Sequence, residues 1–231
     1  MAQDLARQRA FKPNTILAHL SGALSSEILQ DAREFCQCSV ASLHPLQTFP
    51  TIDAAISMIQ GAWCFFEGDD KALSVLEQLA HTLGMKPYRI DKKAKTLYHA
   101  SAVIACNYFI ALMDAALALA EQAGIDRATA WSALEVLIKT THKNIEALGT
   151  KNALTGPIAR GDIDTVKRHL EQLNQTTDDL DDLYRTLGSY TATLAVQKGT
   201  LDHEKALQII ELLQKTPWLN SKTNKPSALH S

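Results

Sequence analysis

Along the first part of the chain, short apolar runs alternate with amphipathic ones. Met1 to Ala10 reads as the end of a helix. Asn14 to His19, introduced by Pro13, reads as a buried strand, and Ser21-Gly22 as a turn. Ser25 to Phe35 has helical spacing, with Ser25 or Ser26 as N-cap and Glu27 in the first turn. Ser39 to Leu43 is a second strand, and Thr51 to Ile59 a short helix with Asp53 near its start. Ala62 to Glu67 is an apolar strand, and Asp69 or Asp70 caps a helix from Lys71 to Leu83 that Gly84 ends. Tyr88 to Ile90 is a last short strand. Alternation of this kind predicts an α/β layer with a mainly parallel sheet.

Beyond Asp91 the period becomes helical throughout. Helices are expected over Lys92–Gln122, Asp126–Leu148 (ended by Gly149), a start at Asp162 or Asp164 running to Asn174, Asp178–Gln197 and Asp202–Lys215. The stretch from Thr216, with Pro217, Asn220, Ser221 and Pro226, reads as a flexible tail. The predicted organisation is an α/β domain over 1–91, a helical domain over 92–215 for substrate binding and dimerisation, and a tail over 216–231.

Composition narrows the function. The chain of 231 residues carries a net charge of -2 with its Lys and Arg dispersed, which leaves no electrostatic footprint for nucleic acid. Cys36, Cys38, Cys64 and Cys106 contain no C-x-x-C pair, so reduced thiols, no metal site and a cytoplasmic location are expected. Met1 to Arg9 shows no apolar signal-peptide core. Ala102 to Ala120 is long and apolar enough to suggest a membrane span. Asn107 and Asp114 oppose that reading, since an Asp at a helix centre costs about 2.5–3.5 kcal/mol on insertion. A helix buried in a soluble core or a dimer interface is expected instead, without a membrane partner.

The glycines form no G-x-G-x-x-G turn; the nearest pair, Gly156 and Gly161 in ALTGPIARGD, lies deep in the helical half. Other motifs carry candidate chemistry. His19-Leu20-Ser21-Gly22 follows a strand, where doubly wound sheets bind ligands, and is either a ligand-contacting loop or a plain turn. His44-Pro45-Leu46-Gln47 also follows a strand, and His44 is either a cleft residue or a structural histidine. Lys95 and His99, four apart, share one helix face, as a catalytic pair or as a solvated Lys beside a capping His. An ammonium or imidazole there could stabilise or protonate an oxygen that gains charge. Thr155, Gly156 and Arg160 lie in an interhelical loop, Asn144 one turn before Gly149; Arg160 could hold an anion, or the loop could be a hinge.

Four segments taken together, HLSGALSSEIL (19–29), SLHPLQTFP (42–50), KTLYHASAVIACNY (95–108) and ALTGPIARGDIDTVKRHL (153–170), resemble a bacterial family described as NADP-dependent oxidoreductases. That family pairs a Rossmann-like domain with a C-terminal helical domain of unknown function, and is similar in architecture to pyrroline-5-carboxylate reductase, ketopantoate reductase and prephenate dehydrogenase. The resemblance implies an α/β remnant of a Rossmann-like fold, followed by an all-α domain similar to that of 6-phosphogluconate dehydrogenase-like enzymes. In that family a glycine-rich βαβ unit precedes the segment matching His19; here eighteen residues precede it, so a truncated Rossmann-like domain is expected. The resemblance further implies NADP or NAD as cofactor, met by Ser21, Gly22, His44 and Pro45, and a small carbonyl, imine or hydroxy acid as substrate. Lys95 and His99 become the catalytic pair, similar to a K-x-x-x-N pair with His in place of Asn. His19, Ser21, Gly22, His44, Gln47, Asn144, Thr155, Gly156 and Arg160 become substrate-binding candidates, and a homodimer is implied. The alternative is a non-catalytic helical dimer or metabolite-binding module.

Overall fold

Four apolar runs form one sheet. The structure, a computed structural model, describes residues 1–49, 51 and 56–214. The strands are β1 (Ile16–His19), β2 (Ser39–Leu46), β3 (Trp63–Gly68) and β4 (Lys86–Arg89), in the spatial order β1-β2-β3-β4. β1 and β2 run parallel, as do β3 and β4, but β2 and β3 are antiparallel. The sheet is therefore mixed, where the alternating pattern suggested mainly parallel pairing. Strand direction depends on the connection, which apolar spacing does not reveal.

β2 is longer than its apolar run. His44, Pro45 and Leu46 continue it and pair with Phe65, Cys64 and Trp63. Proline survives inside this strand because β1 pairs with β2 only as far as Ser42, which leaves the outer side of Pro45 as an edge.

Alternation gives the sheet two distinct faces. Ala41, Leu43, Cys64 and Phe66 pack with Ala72, Leu73, Leu76 and Ala80 of the helix Asp70–Thr82. The opposite face begins with Val40 against Ala32 and Cys36 of the helix Gln30–Cys36, and against Ala6 of Ala2–Arg7. Farther along, that face turns polar and builds the site described below.

After Arg89 no strand occurs among the described residues. The run 92–122 is one continuous helical stretch of changing pitch: 3-10 over Lys92–Ala94, α over Lys95–Ala102, π over Val103–Asn107 and α over Tyr108–Gln122. The helices Arg127–Ala153, Ile163–Leu173, Asp178–Lys198 and His203–Leu213 follow. Asp126, Asp162 and Asp202 cap three of them, accepting from the amides of Thr129, Thr165 and Lys205. Gly149 breaks the first, with φ 75° and ψ 164°. The expected helix over Thr51–Ile59 falls partly, and the tail over 216–231 wholly, outside the described residues.

The chain divides into two compact units, Met1–Asp114 and Ala115 onward, and the division falls inside Tyr108–Gln122. The second unit packs Ile158, Val166, Leu170, Ala192, Ala195, Ile209 and Leu213 into its own core. The apolar helix over 92–122, expected in a soluble core or a dimer interface, is long and apolar enough to cross a membrane, and only 6% of its apolar window is buried, which departs from the core alternative. The chain's own core does not cover it.

One backbone position is tightly constrained. Gly68 ends β3 at φ +146°, and a Cβ there would lie 2.6 Å from Ala41 Cα, with the Val40 carbonyl also in the way. Gly68→Ala should cost about 1–3 kcal/mol, read as an earlier urea midpoint; an unchanged midpoint would contradict this packing.

Candidate functional site

The polar face of the sheet is organised in rows. His19 pairs with Ser42 across β1 and β2, and Ser42 pairs with Glu67 across β2 and β3. Paired residues of neighbouring strands point to the same face, so His19, Ser42 and Glu67 stand side by side. The next row contains His44, Phe65 and Tyr88.

The turn after β1 is strapped over the first row. The His19 ring takes the Ser21 amide on Nδ1 at 3.2 Å and reaches the Ser25 carbonyl through Nε2 at 3.0 Å. The first bond makes Nδ1 an acceptor and leaves Nε2 to donate to the carbonyl. The Ser21 hydroxyl accepts from the Leu24 amide at 3.1 Å. Glu67 holds the far end, accepting from the Ser26 amide at 2.7 Å and from the Ser26 hydroxyl at 2.8 Å. Ser26 therefore does not cap its helix with its side chain; its hydroxyl is spent on Glu67, and Ser25 takes the N-cap position without a side-chain bond.

Lys95 is inserted between turn and sheet. Its side chain is 1% exposed. Nζ donates to the Ser21 carbonyl at 2.9 Å and to the Ser42 hydroxyl at 2.5 Å. Burial pushes the amine below its ordinary value, and the nearby Glu67 carboxylate opposes that shift. The helix Lys95–Ala102 brings Tyr98 and His99 to the same face, three and four residues on.

A second cluster sits beside the ammonium. His44 Nδ1 lies 3.0 Å from the Tyr98 hydroxyl, and the His44 and His99 rings meet edge to face at 5.7 Å. Phe65 stacks on Tyr98 with ring centroids 4.3 Å apart. Burial, then the positive charges of Lys95 and His99, lower the His44 value and favour its neutral ring. Burial lifts the Tyr98 phenol to about 12, so it keeps its proton and can donate it in a hydrogen bond to His44. His99 Nδ1 is buried without a hydrogen-bond partner among the described residues. Gly22 closes the group: a Cβ there would lie 2.5 Å from His99 Nδ1 and 2.9 Å from His44 Nε2. No side chain fits at that position.

The first unit thus brings together His19, Ser21, Gly22, His44, Lys95 and His99. Pro45 and Gln47 do not join them. Pro45 pairs with Cys64, so alternation turns its ring to the other face. The Gln47 amide is used locally, with its carbonyl accepting from Thr48 N at 2.9 Å and its amide donating to Met58 O at 3.4 Å. Asn144, Thr155, Gly156 and Arg160 belong to the second unit. Asn144, Thr155 and Arg160 are exposed, and Gly156 has φ +101°. Within the same loop Ile158 and Ala159 plug the second core, and Asp162 caps the next helix.

Sequence reasoning missed Ser42, Glu67 and Tyr98. A signal existed for two of them. Tyr98 shares the helix face of Lys95 and His99, and Glu67 is an acidic residue closing an otherwise apolar strand, AWCFFE. Ser42 gave none, because its role comes from strand register.

No match was found among curated proteins. The fold is similar to that of protein TM1727 from Thermotoga maritima, with a TM-score of 0.68 and 26% identity over 85% of this chain and 75% of that one. It is also similar to that of a Bacteroides fragilis protein titled "putative NADP oxidoreductase BF3122", with a TM-score of 0.63 and 21% identity over 77% of this chain. The chain spans 65% of the length of the Bacteroides protein. The sheet-plus-helices architecture is thus a Rossmann-like fold with a helical C-terminal region. A family profile matches residues 62–191, more than half of the chain, and on that match the chain belongs to the family described as Domain of unknown function (DUF2520).

Proposed function

We propose that the first unit carries the proton-handling side of a nicotinamide-dependent oxidoreductase acting on a small carbonyl, imine or hydroxy acid. The observation that supports this most is Lys95. A buried ammonium without a direct ion pair is costly, and an amine lowered by burial beside two imidazoles marks a working site. Two of its three protons are used by Ser21 and Ser42, which leaves one for a bound oxygen or nitrogen. His99, with Nδ1 unpartnered, offers a second polar contact, and the neutral His44 a third. The similarity in fold to a protein titled as an NADP oxidoreductase supports the same reading.

The cofactor divides into two parts against these residues. Its nicotinamide end suits the Ser21, Gly22 and His44 group, where NADP or NAD when bound would supply the hydride. Its pyrophosphate does not suit this turn. The Ser21 amide is spent on His19 and the Leu24 amide on Ser21 Oγ, and the sequence holds no glycine-rich turn to offer others. Lys95 would hold the substrate oxygen or nitrogen and donate the proton that its developing charge requires. Free, buried Cys36, Cys38 and Cys64 suit a reducing compartment such as the cytoplasm.

A homodimer completes the proposal. Leu97, Ile104, Tyr108 and Ile110 are more than half exposed on the helical stretch 92–122, as are Val136, Leu137 and Leu148 on Arg127–Ala153. Asn107 and Asp114 interrupt the first surface and disfavour lipid, so a second copy of the chain is the occupant.

Turnover, cofactor binding and oligomeric state test this reading. With millimolar NADPH and a panel of small ketones, imines and 2-oxo acids, the chain should consume cofactor, and Lys95→Met should reduce the rate at least ~100-fold. Activity should fall as pH rises through the Lys95 value, which burial places below 10.5. Calorimetry should show no saturation by NADPH at micromolar concentration. Undiminished turnover in Lys95→Met would contradict the role of the amine, and tight stoichiometric binding would contradict the missing phosphate cradle. Light scattering should show a dimer, which Ala111→Glu or Ala115→Glu disrupts, since an obligate interface of this kind buries about 2,000 Å² or more of mainly apolar surface. A stable monomer at micromolar concentration would refute the interface.

A further inference from the structure

The row beneath the Ser21–Ser26 turn contains a carboxylate that the proposed chemistry does not use. Glu67 is 4% exposed, at the end of an apolar strand. A carboxylate is seldom buried without full hydrogen bonding. Both of its oxygens are engaged, and both by Ser26. Ser26 is the first residue after the strap whose Ser21 carbonyl receives Lys95. In register Glu67 stands opposite Ser42, the other residue that receives Lys95. Opposed residues of an antiparallel pair have Cβ atoms about 4.5–5.5 Å apart. One carboxylate therefore touches the strap at its far end and neighbours the ammonium across one strand.

The charge balance around Lys95 gives this placement its meaning. Ser42 and His44 face it from β2, Glu67 from β3, Ser21 from the turn, and Tyr98 and His99 from its own helix, while the Cys64 thiol acts on it from the opposite face of β3. The Cys64 thiol is lifted by burial to about 11, and His44 and His99 carry no negative charge. Among the described residues that act on Lys95, Glu67 is the carboxylate.

We propose that Glu67 is the positioning residue of this site: through Ser26 it holds the turn down on the sheet, and its carboxylate is the buried counter-charge that keeps the Lys95 amine protonated. The proposal deepens the reading of Lys95 as a proton donor and rests on it for its functional meaning. A serine–serine–lysine seat alone would hold a neutral amine as readily as an ammonium. With Glu67 beside it the charged form is favoured, and the seat presents a donor instead of a base.

The test reads the Lys95 amine directly, by nitrogen NMR of the full chain across pH, with the signal assigned by its loss in Lys95→Met. Glu67→Gln keeps the shape and an acceptor for Ser26 but removes the charge; the Lys95 midpoint should shift downward. Ser26→Ala keeps the carboxylate and its bond to the amide; the midpoint should stay where it is. No shift in Glu67→Gln, or equal shifts in both variants, would overturn the proposal. If Glu67→Gln does not fold, the wild-type chain decides, because coupled groups report each other's titration. The Glu67 carboxylate carbon should then move at the Lys95 midpoint, and a carbon signal flat through that midpoint overturns the proposal. None of these readings requires turnover. A chain without reductase activity would leave the coupling measurable, and a lost coupling would leave the reductase assay to stand or fall alone.

Discussion

The burial of one ammonium governs this site. Lys95 cannot be placed under a loop and against a sheet unless its donors are met, and two oxygens from different elements meet them. One is the Ser21 carbonyl and the other the Ser42 hydroxyl. That demand fixes where the turn lies over the sheet and where the first turn of the helix Lys95–Ala102 enters. His19 and Glu67 secure the turn at its two ends with side chains from the strands on either side of Ser42. A polar row across three strands thus does what an apolar core does elsewhere: it specifies a single arrangement, and here that arrangement places functional groups.

The remaining groups follow from the same placement. Once Lys95 is seated, helix periodicity carries Tyr98 and His99 toward His44, and the shared space allows only glycine at position 22. Two imidazoles and an ammonium then lie together, and their mutual repulsion adds to burial in keeping His44 neutral. The cost of crowding like charges is the kind of local disadvantage that stable folds tolerate where chemistry requires it.

Much of this architecture was legible in the residue pattern. The four strands, the switch to helices after the last of them and the aspartate caps at 126, 162 and 202 all follow from periodicity and capping chemistry. Spacing puts Lys95 and His99 on one helix face, and turns mark His44 and Gly22, but it is the family resemblance that singles them out as site candidates. Pairing direction could not be read, because apolar runs look alike in parallel and antiparallel strands; β2 and β3 proved antiparallel. Register could not be read either, and register is what aligns His19, Ser42 and Glu67. The apolar stretch 102–120 could be read as a core helix or as a dimer-interface helix, and its exposure appears only once the rest of the chain is packed. The 153–162 loop could be read as a ligand site through Thr155, Gly156 and Arg160 or as a structural hinge, and the packing that makes it lend Ile158 and Ala159 to a core is not visible in its spacing.

Amide hydrogen exchange tests the strapped turn most directly. Ser21 and Ser26 lie outside the strands, but their amides are bonded to His19 and to the buried Glu67. Both amides should be protected to the same degree as those of β2, and should open with the sheet rather than before it. Exchange of the Ser21 and Ser26 amides at the rate of a free loop, while β2 remains protected, would show that the turn is not held on the sheet and that the seat of Lys95 is not built as described.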